Sequence, residues 1–128
     1  MANHMQKEEQ SIDMKVTKIL RELEIPPHIK GYSYLREAVK LAVSDFGYIE
    51  EITKKLYPAI AKKYNSSSTK VERAIRHAIE IMCYKKSTNR EAIQKYISPS
   101  LVVSGGAVEK VTNSEAIASI ADYIRIYG

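Results

Sequence analysis

The sequence has too little cysteine, glycine and proline to belong to several broad classes of protein. Its 128 residues include one cysteine, no tryptophan, five glycines and four prolines. A single thiol cannot form an internal disulfide, which excludes a disulfide-stapled secreted scaffold. So few glycines and prolines exclude collagen-like and low-complexity chains. Because a lone cysteine and the lack of a signal peptide suit a reducing compartment, we expect a cytoplasmic protein.

Long apolar runs and catalytic constellations are lacking as well. No apolar run approaches the ~20 residues that span a bilayer, so we expect no membrane segment. His4, His28 and His77 lie far apart, and the chain has no HExxH pair, no second cysteine and no P-loop. We therefore expect neither an enzyme nor a cofactor or metal site. Cys83 borders an apolar stripe, where an inert, half-buried thiol is more common than a nucleophile.

The chain is basic and has enough apolar residues to form a core. Apolar residues make up 45% of it, and its length suits one compact domain. The net charge of +5 and the isoelectric point near 9.2 suit a polyanionic partner, although many small basic proteins bind nothing anionic. Residues 1–10 are polar and lack periodicity. We expect them to be a disordered N-terminal arm or a cloning remnant, with a single domain over residues 11–128.

Apolar residues recur at helical spacing along most of the chain and predict an all-α, compact domain of six or seven helices. Pro58 interrupts one of these patterns, so we expect a helix to end at Tyr57 and another to begin at the proline. Residues 98–111 predict a loop, with a brief extended pair at most. The predicted helices are 11–23, 33–46, 48–57, 58–64, 69–84, 88–97 and 112–127. The predicted caps are Ser11, either Thr88 or Asn89, and a capping box of Thr112 with Glu115.

The helix predicted at 69–84 carries charge of mostly one sign on one face. Thr69 and Glu72 form a second capping box, which predicts where this helix begins. Its apolar stripe, which predicts a core-facing side, is Val71, Ala74, Ile75, Ala78, Ile79 and Met82. The opposite face holds Lys70, Arg73, Arg76, His77 and Glu80. A solvated helix face usually alternates charge signs, whereas this one is mostly positive.

The segment before this helix completes a helix-turn-helix layout. A short helix, a serine turn and a longer helix match the motif whose second helix enters the DNA major groove. Arginine suits base contacts there because its planar fork can bond guanine O6 and N7. The candidate phosphate-binding residues are Lys62, Lys63, Ser66, Ser67 and Ser68. The pattern alone leaves open an ordinary wet surface, on which Glu72 is only a capping residue and His77 is only solvent-exposed.

Four stretches of the sequence carry a resemblance to a known family. They are "IPPHIKGYSYLREAV", "ITKKLYPAIAKKYN", "VERAIRHAIE" and "TNSEAIASIAD". Together they closely resemble the C-terminal effector domain of stage 0 sporulation protein A, a response regulator of endospore-forming bacteria. The resemblance runs from about Val16 to Ile124 and is long and specific in the segment around the serine turn.

The resemblance implies a six-helix domain with a helix-turn-helix that binds double-stranded DNA at TGTCGAA-type boxes and regulates transcription. It implies that paired domains form a head-to-tail dimer on tandem boxes, and that one surface contacts the RNA polymerase sigma factor. The base-contacting residues implied by "VERAIRH" are Glu72, Arg73, Arg76 and His77. Lys70 stands where the family has an arginine, and a lysine keeps the charge without the bidentate fork.

Two departures from the family favour a second hypothesis. The sequence contains no receiver domain, so we expect either an excised effector domain or a stand-alone relative. Residues 83–111 diverge strongly from the family, which puts the sigma-factor contact in doubt. The alternative is therefore a protein-interaction module that kept the fold and acts on a full-length regulator or on RNA polymerase. Selective binding of a matching DNA box discriminates between the two hypotheses.

Overall fold

The computed structural model describes residues 4–84, 88–98 and 110–128, with side chains described from residue 11 onward. Within these ranges the chain forms helices and no strand, which confirms the all-α prediction. Seven α-helices and one π-helical segment occur in the described ranges, rather than the six helices implied by the resemblance. In chain order they are α1 (His4–Glu22), α2 (Lys30–Ser44), α3 (Gly47–Glu50), the π-helical segment (Ile52–Leu56), α4 (Tyr57–Lys63), α5 (Ser68–Tyr84), α6 (Arg90–Tyr96) and α7 (Asn113–Tyr127). The predicted loop at 98–111 lies mostly outside the described residues.

Helix α2 lies at the centre of the helical packing. It contacts α1, α5 and α7, and therefore touches the helix with the one-sided charge pattern. The core-facing side of α2 carries apolar residues at three- and four-residue spacing, which places them on one helix face. Its buried residues are Gly31, Tyr32, Tyr34, Leu35, Ala38, Val39 and Ala42. Burying each large apolar side chain contributes about 1.5–3 kcal/mol, so this stripe anchors α5 firmly.

The contact between α2 and α5 is unusually close at one glycine. A Cβ atom at Gly31 would lie 2.1 Å from the backbone oxygen of Ala74 and 2.9 Å from the Cβ atom of Ala78. Both alanines belong to α5, so the N-terminal turn of α2 rests directly on the backbone of that helix. A side chain at this position would force the two helices apart.

The predicted helix boundaries are confirmed at one cap and wrong at others. The capping box of Thr112 and Glu115 is present in full at the start of α7. Helix α1 begins at His4, so Ser11 lies inside the helix and the prediction that it is the N-cap is wrong. Asn89 precedes α6, as expected of a cap, but its side chain makes no capping bond.

Asn89 instead joins two distant helix ends. Its side chain is 2% exposed, and its amide Nδ2 donates to the carbonyl oxygens of Leu23 at 2.7 Å and Met82 at 2.9 Å. These carbonyls follow α1 and lie near the end of α5. Since buried carbonyls need partners, the amide replaces bonds that a helix end would otherwise lack.

The predicted boundary at Pro58 is confirmed within one residue, because one helical segment ends at Leu56 and α4 begins at Tyr57, but the backbone stays helical across the boundary. The π-helical segment leads directly into α4, where the proline lies in the first turn. The Tyr57 N–H bonds the carbonyl oxygen of Ile52, one residue further back than in an α-helix. This wider turn relieves the clash between the proline ring and the preceding carbonyl. The chain leaves helical geometry earlier, at Glu51, where φ is −123° and ψ is 54°.

Candidate nucleic-acid interface

A tight turn over residues 64–67 joins α4 to α5. Asn65 adopts a left-handed conformation with φ of 51°, which asparagine tolerates better than most residues. The Ser66 N–H then bonds the carbonyl oxygen of Ala61 at 2.8 Å, closing the end of α4 as in a Schellman motif. This ending fixes the direction in which the chain enters α5.

The N-cap of α5 is Ser67. Its Oγ accepts a bond from the Lys70 N–H at 3.2 Å, and its carbonyl accepts from the Val71 N–H at 2.9 Å. The predicted capping box of Thr69 and Glu72 is therefore wrong, because Thr69 already lies in the first turn of a helix that starts at Ser68. Any of the three consecutive serines could act as an N-cap, because their side chains are the same. The left-handed turn at Asn65 fixes the direction of the chain, and Ser67 is the serine that caps α5.

Helix α5 has a buried stripe and an outward face on opposite sides. Its buried residues are Val71, Ile75, Ala78, Ile79 and Met82. At ~100° per residue, four of the five predicted base-contacting residues lie on the other side of the helix axis, and Glu72 lies at the edge between the two sides. Lys70, Arg73, Arg76 and His77 are exposed, and Glu72 is partly exposed. The structure therefore brings all five together on one solvent-facing surface, which we call the cationic face.

One ion pair lies within the cationic face. Glu72 Oε1 lies 3.7 Å from Arg76 Nε, one helical turn apart. Since the two side chains are 35% and 49% exposed, the pair contributes only about 0.2–1 kcal/mol of stability. Its main effect is to restrain Arg76 and to leave its guanidinium partly neutralised. Within the described part of the chain, no ion pair involves Lys70, Arg73 or His77.

The candidate phosphate-binding lysines have different surroundings. Both lie in the last turn of α4. Lys63 Nζ bonds Glu37 Oε2 of α2 at 2.9 Å, and that bond raises the pKa of Lys63. Lys62 is exposed and takes part in no ion pair among the residues the structure describes. Thus Lys62 is free to meet a ligand, whereas Lys63 must first leave Glu37.

The candidate phosphate-binding serines lie around the start of α5. Ser67 is exposed, while Ser66 and Ser68 are partly buried. Although the Ser67 oxygen already accepts the capping bond, its hydroxyl hydrogen can still be donated to an anion. The backbone N–H groups of the first turn of α5 point toward the same region.

One further residue contacts the cationic face and was not predicted from the sequence. Asn113, the first residue of α7, donates from Nδ2 to the Tyr57 hydroxyl at 3.0 Å and to the Glu72 carbonyl at 3.2 Å. A cleft of about 300 Å³ lies beside this junction and is lined by Tyr57, Glu72, Arg76, Lys110, Val111, Thr112, Asn113 and Ser114. In the sequence, Asn113 is marked only by its position after the capping residue Thr112. That position does not predict bonds to Tyr57 and Glu72, which are far away along the chain.

The described residues offer neither of two other kinds of site. No group of three or more His, Cys, Asp or Glu residues in the described ranges is arranged to hold a metal ion. No helix there is both long and apolar enough to cross a membrane. Burial raises the pKa of the Cys83 thiol above its usual range, which disfavours the reactive thiolate.

The fold and the cationic face together define a class of protein: a small all-helical domain whose exposed helix face suits a polyanionic ligand. The family described as "Sporulation initiation factor Spo0A C terminal" matches residues 16–124. The chain belongs to this family, and the resemblance seen in the sequence is confirmed over the same residues. The family consists of DNA-binding effector domains of sporulation regulators and is not a family of enzymes.

Proposed function

We propose that this protein regulates transcription by reading TGTCGAA-type boxes in double-stranded DNA with α5. In this proposal α4 and α5 form a helix-turn-helix, and α5 lies in the major groove. The observation that carries it is the one-sided cationic face, which follows a tight turn and lies opposite a fully apolar stripe. Such an arrangement leaves the core undisturbed while long cationic side chains project toward the ligand.

Each residue of the cationic face has a proposed role. Arg73 and Arg76 read guanines through O6 and N7. Glu72 accepts from a cytosine amino group and, before binding, restrains Arg76 through their ion pair. Lys70 and His77 add single base or phosphate contacts, because a lysine lacks the bidentate fork of an arginine.

The backbone contacts come from the turn that precedes α5. Lys62 and the hydroxyls of Ser66, Ser67 and Ser68 hold phosphates near the helix N-terminus, which favours negative charge. Lys63 joins them by exchanging its bond with Glu37 for a phosphate. These contacts fix the register of the protein on the duplex but carry no sequence information.

The proposal extends to two assemblies on the basis of family membership. Two copies bind tandem boxes head to tail, and a separate surface contacts the RNA polymerase sigma factor. Titration of duplexes with one box and with two boxes tests the first of these. A second copy that binds no more tightly than the first on a tandem duplex would argue against cooperative pairing.

Fluorescence anisotropy with labelled duplexes tests the function itself. We expect a single box to bind more tightly than a scrambled duplex, and the difference to persist at about 150 mM salt. Arg73→Ala should abolish most of this difference. Arg21→Ala is the matched control, because it removes the same charge from α1, which packs against α2, α6 and α7 rather than presenting the cationic face.

Equal, salt-sensitive binding to every duplex would reject sequence reading. The protein-interaction module would then become the better account of the fold. Its test is binding to a full-length regulator or to RNA polymerase in the absence of DNA.

A further inference from the structure

Asn113 connects α7 to both helices that we propose to bind DNA. Its amide Nδ2 donates to the hydroxyl of Tyr57, the first residue of α4, at 3.0 Å. The same nitrogen donates to the backbone carbonyl of Glu72, in the second turn of α5, at 3.2 Å. One amide group therefore contacts all three helices where they meet.

The groups that receive these bonds are held firmly in place. Tyr57 is 6% exposed, so its ring is fixed by the core. Burial, more than any other cause, raises the pKa of Tyr57 above its usual value of 10.0, and the hydroxyl stays neutral. The amide of Asn113 is partly buried and is itself held at the start of α7 by the capping box beside it.

The bond to Glu72 reaches the residue that restrains an arginine of the cationic face. The carbonyl of Glu72 accepts from Asn113, while its carboxylate lies 3.7 Å from Arg76 Nε. Rotation of α5 about its axis would move both Glu72 and Arg76 relative to a bound base pair. The buried stripe and the close contact at Gly31 hold α5 on the side of α2. The bond from Asn113 adds a directional restraint from α7, next to the cationic face.

We propose that Asn113 is a positioning residue for sequence recognition: its amide sets the rotation of α5 against α4 and α7, so that Glu72 and Arg76 meet the base edges. This inference rests on the proposed function. Asn113 need not touch DNA to act in this way. Its loss should lower affinity for the correct box while leaving phosphate contacts, and hence binding to other sequences, nearly unchanged.

Asn113→Asp is the sharpest test of the bond to α5, because it keeps the size of the side chain but cannot donate to the Glu72 carbonyl. The Tyr57 hydroxyl can still donate to the new carboxylate, so the contact with α4 remains. Ser114→Asp is its matched control, since it adds the same charge at the next residue of the same helix turn. Tyr57→Phe removes the acceptor of one bond and keeps the buried ring. Each variant is titrated with the box duplex and the scrambled duplex at one salt concentration, after its thermal melting curve has been recorded.

We expect the ratio of box to scrambled affinity to fall by about 2- to 12-fold more in Asn113→Asp than in Ser114→Asp, the range that one net hydrogen bond gives. Tyr57→Phe should lower the same ratio by a smaller factor. Partial unfolding lowers binding to both duplexes together, so it leaves this ratio unchanged.

The outcomes separate this inference from the proposed function. A wild-type protein that does not prefer the box would overturn both. A wild-type protein that prefers the box, with the same ratio in Asn113→Asp as in Ser114→Asp, would overturn the positioning role alone. Equal losses on both duplexes in Asn113→Asp, beyond those of Ser114→Asp, would also overturn it.

Discussion

The close contact at Gly31 predicts that replacing this glycine by alanine destabilises the protein, whereas helix propensity alone predicts a gain in stability. A glycine in the first turn of a helix normally gains stability on replacement by alanine, by up to about 1 kcal/mol. At Gly31, however, the new Cβ atom would lie 2.1 Å from the carbonyl oxygen of Ala74, about 0.9 Å inside the 3.0 Å limit of real contacts. Because that oxygen belongs to the backbone of α5, only a displacement of one helix can relieve the clash.

We therefore expect Gly31→Ala to destabilise the protein. Forcing extra atoms into a packed interface costs about 1–3 kcal/mol, which exceeds the gain in helix propensity. A net loss of about 2 kcal/mol would lower Tm by about 7 °C in a chain of this length. Thermal unfolding followed by circular dichroism measures this change, and urea titration gives the free energy of unfolding independently.

Gly47→Ala is the control for this prediction. The nearest atom to its new Cβ would be Asp45 Oδ1 at 3.0 Å. This exposed carboxylate accepts a bond from the Gly47 N–H at 2.9 Å and needs to shift by only a few tenths of an ångström. Its free energy of unfolding should stay within about 0.5 kcal/mol of the wild-type value. If Gly31→Ala raised Tm, or changed it no more than Gly47→Ala, the direct contact between α2 and the backbone of α5 would be refuted.

Four further substitutions test separate parts of the account. Arg73→Ala should cost about 1–3 kcal/mol of binding to the box and relax its selectivity in anisotropy titrations. Lys62→Ala should weaken binding to all duplexes alike and reduce the slope of log affinity against log salt, and an unchanged slope would reject its phosphate contact. Asn89→Ala leaves two carbonyl oxygens without their hydrogen-bond donor. It should lower the free energy of unfolding, measured by urea titration, by about 2–3 kcal/mol. A loss below about 0.5 kcal/mol would contradict the bridging role of Asn89. Burial, then the bond to Glu22, raises the pKa of Tyr96, so its stabilisation is complete below pH 10 and declines above it as the unfolded chain ionises. Tyr96→Phe should flatten that alkaline decline, and a decline as steep as in the wild type would count against this assignment.

The cationic face could be predicted from the sequence because it depends on local periodicity. In α5 the buried residues recur every three or four positions, so the exposed side follows from helix geometry alone. The all-α class and the Thr112 capping box were predictable for the same reason, since each depends on neighbours within one or two turns. Phosphate-binding and base-contacting roles remain predictions.

Other features could not be read from local sequence because distant residues determine them. Gly31 meets Ala74, and Asn113 meets Glu72, only after the helices have packed. The start of α5 was misplaced for a different reason: adjacent serines are equally good caps, and the turn before them decides which one is used. Pro58 lies in the first turn of α4, as its sequence position predicted, but the π-helical segment that leads into this helix was not predicted.

The most direct test of the central claim replaces single guanines of the box with 7-deazaguanine. This base lacks the N7 acceptor in the major groove but keeps its Watson–Crick pairing. If Arg73 on α5 reads a guanine there, the replacement should weaken wild-type binding by about 2- to 12-fold, roughly half the value of a bidentate contact. The same replacement should change the affinity of the Arg73→Ala variant very little. Equal affinity of the wild-type protein for the normal duplex and for every replaced duplex would contradict readout of guanine N7 by α5.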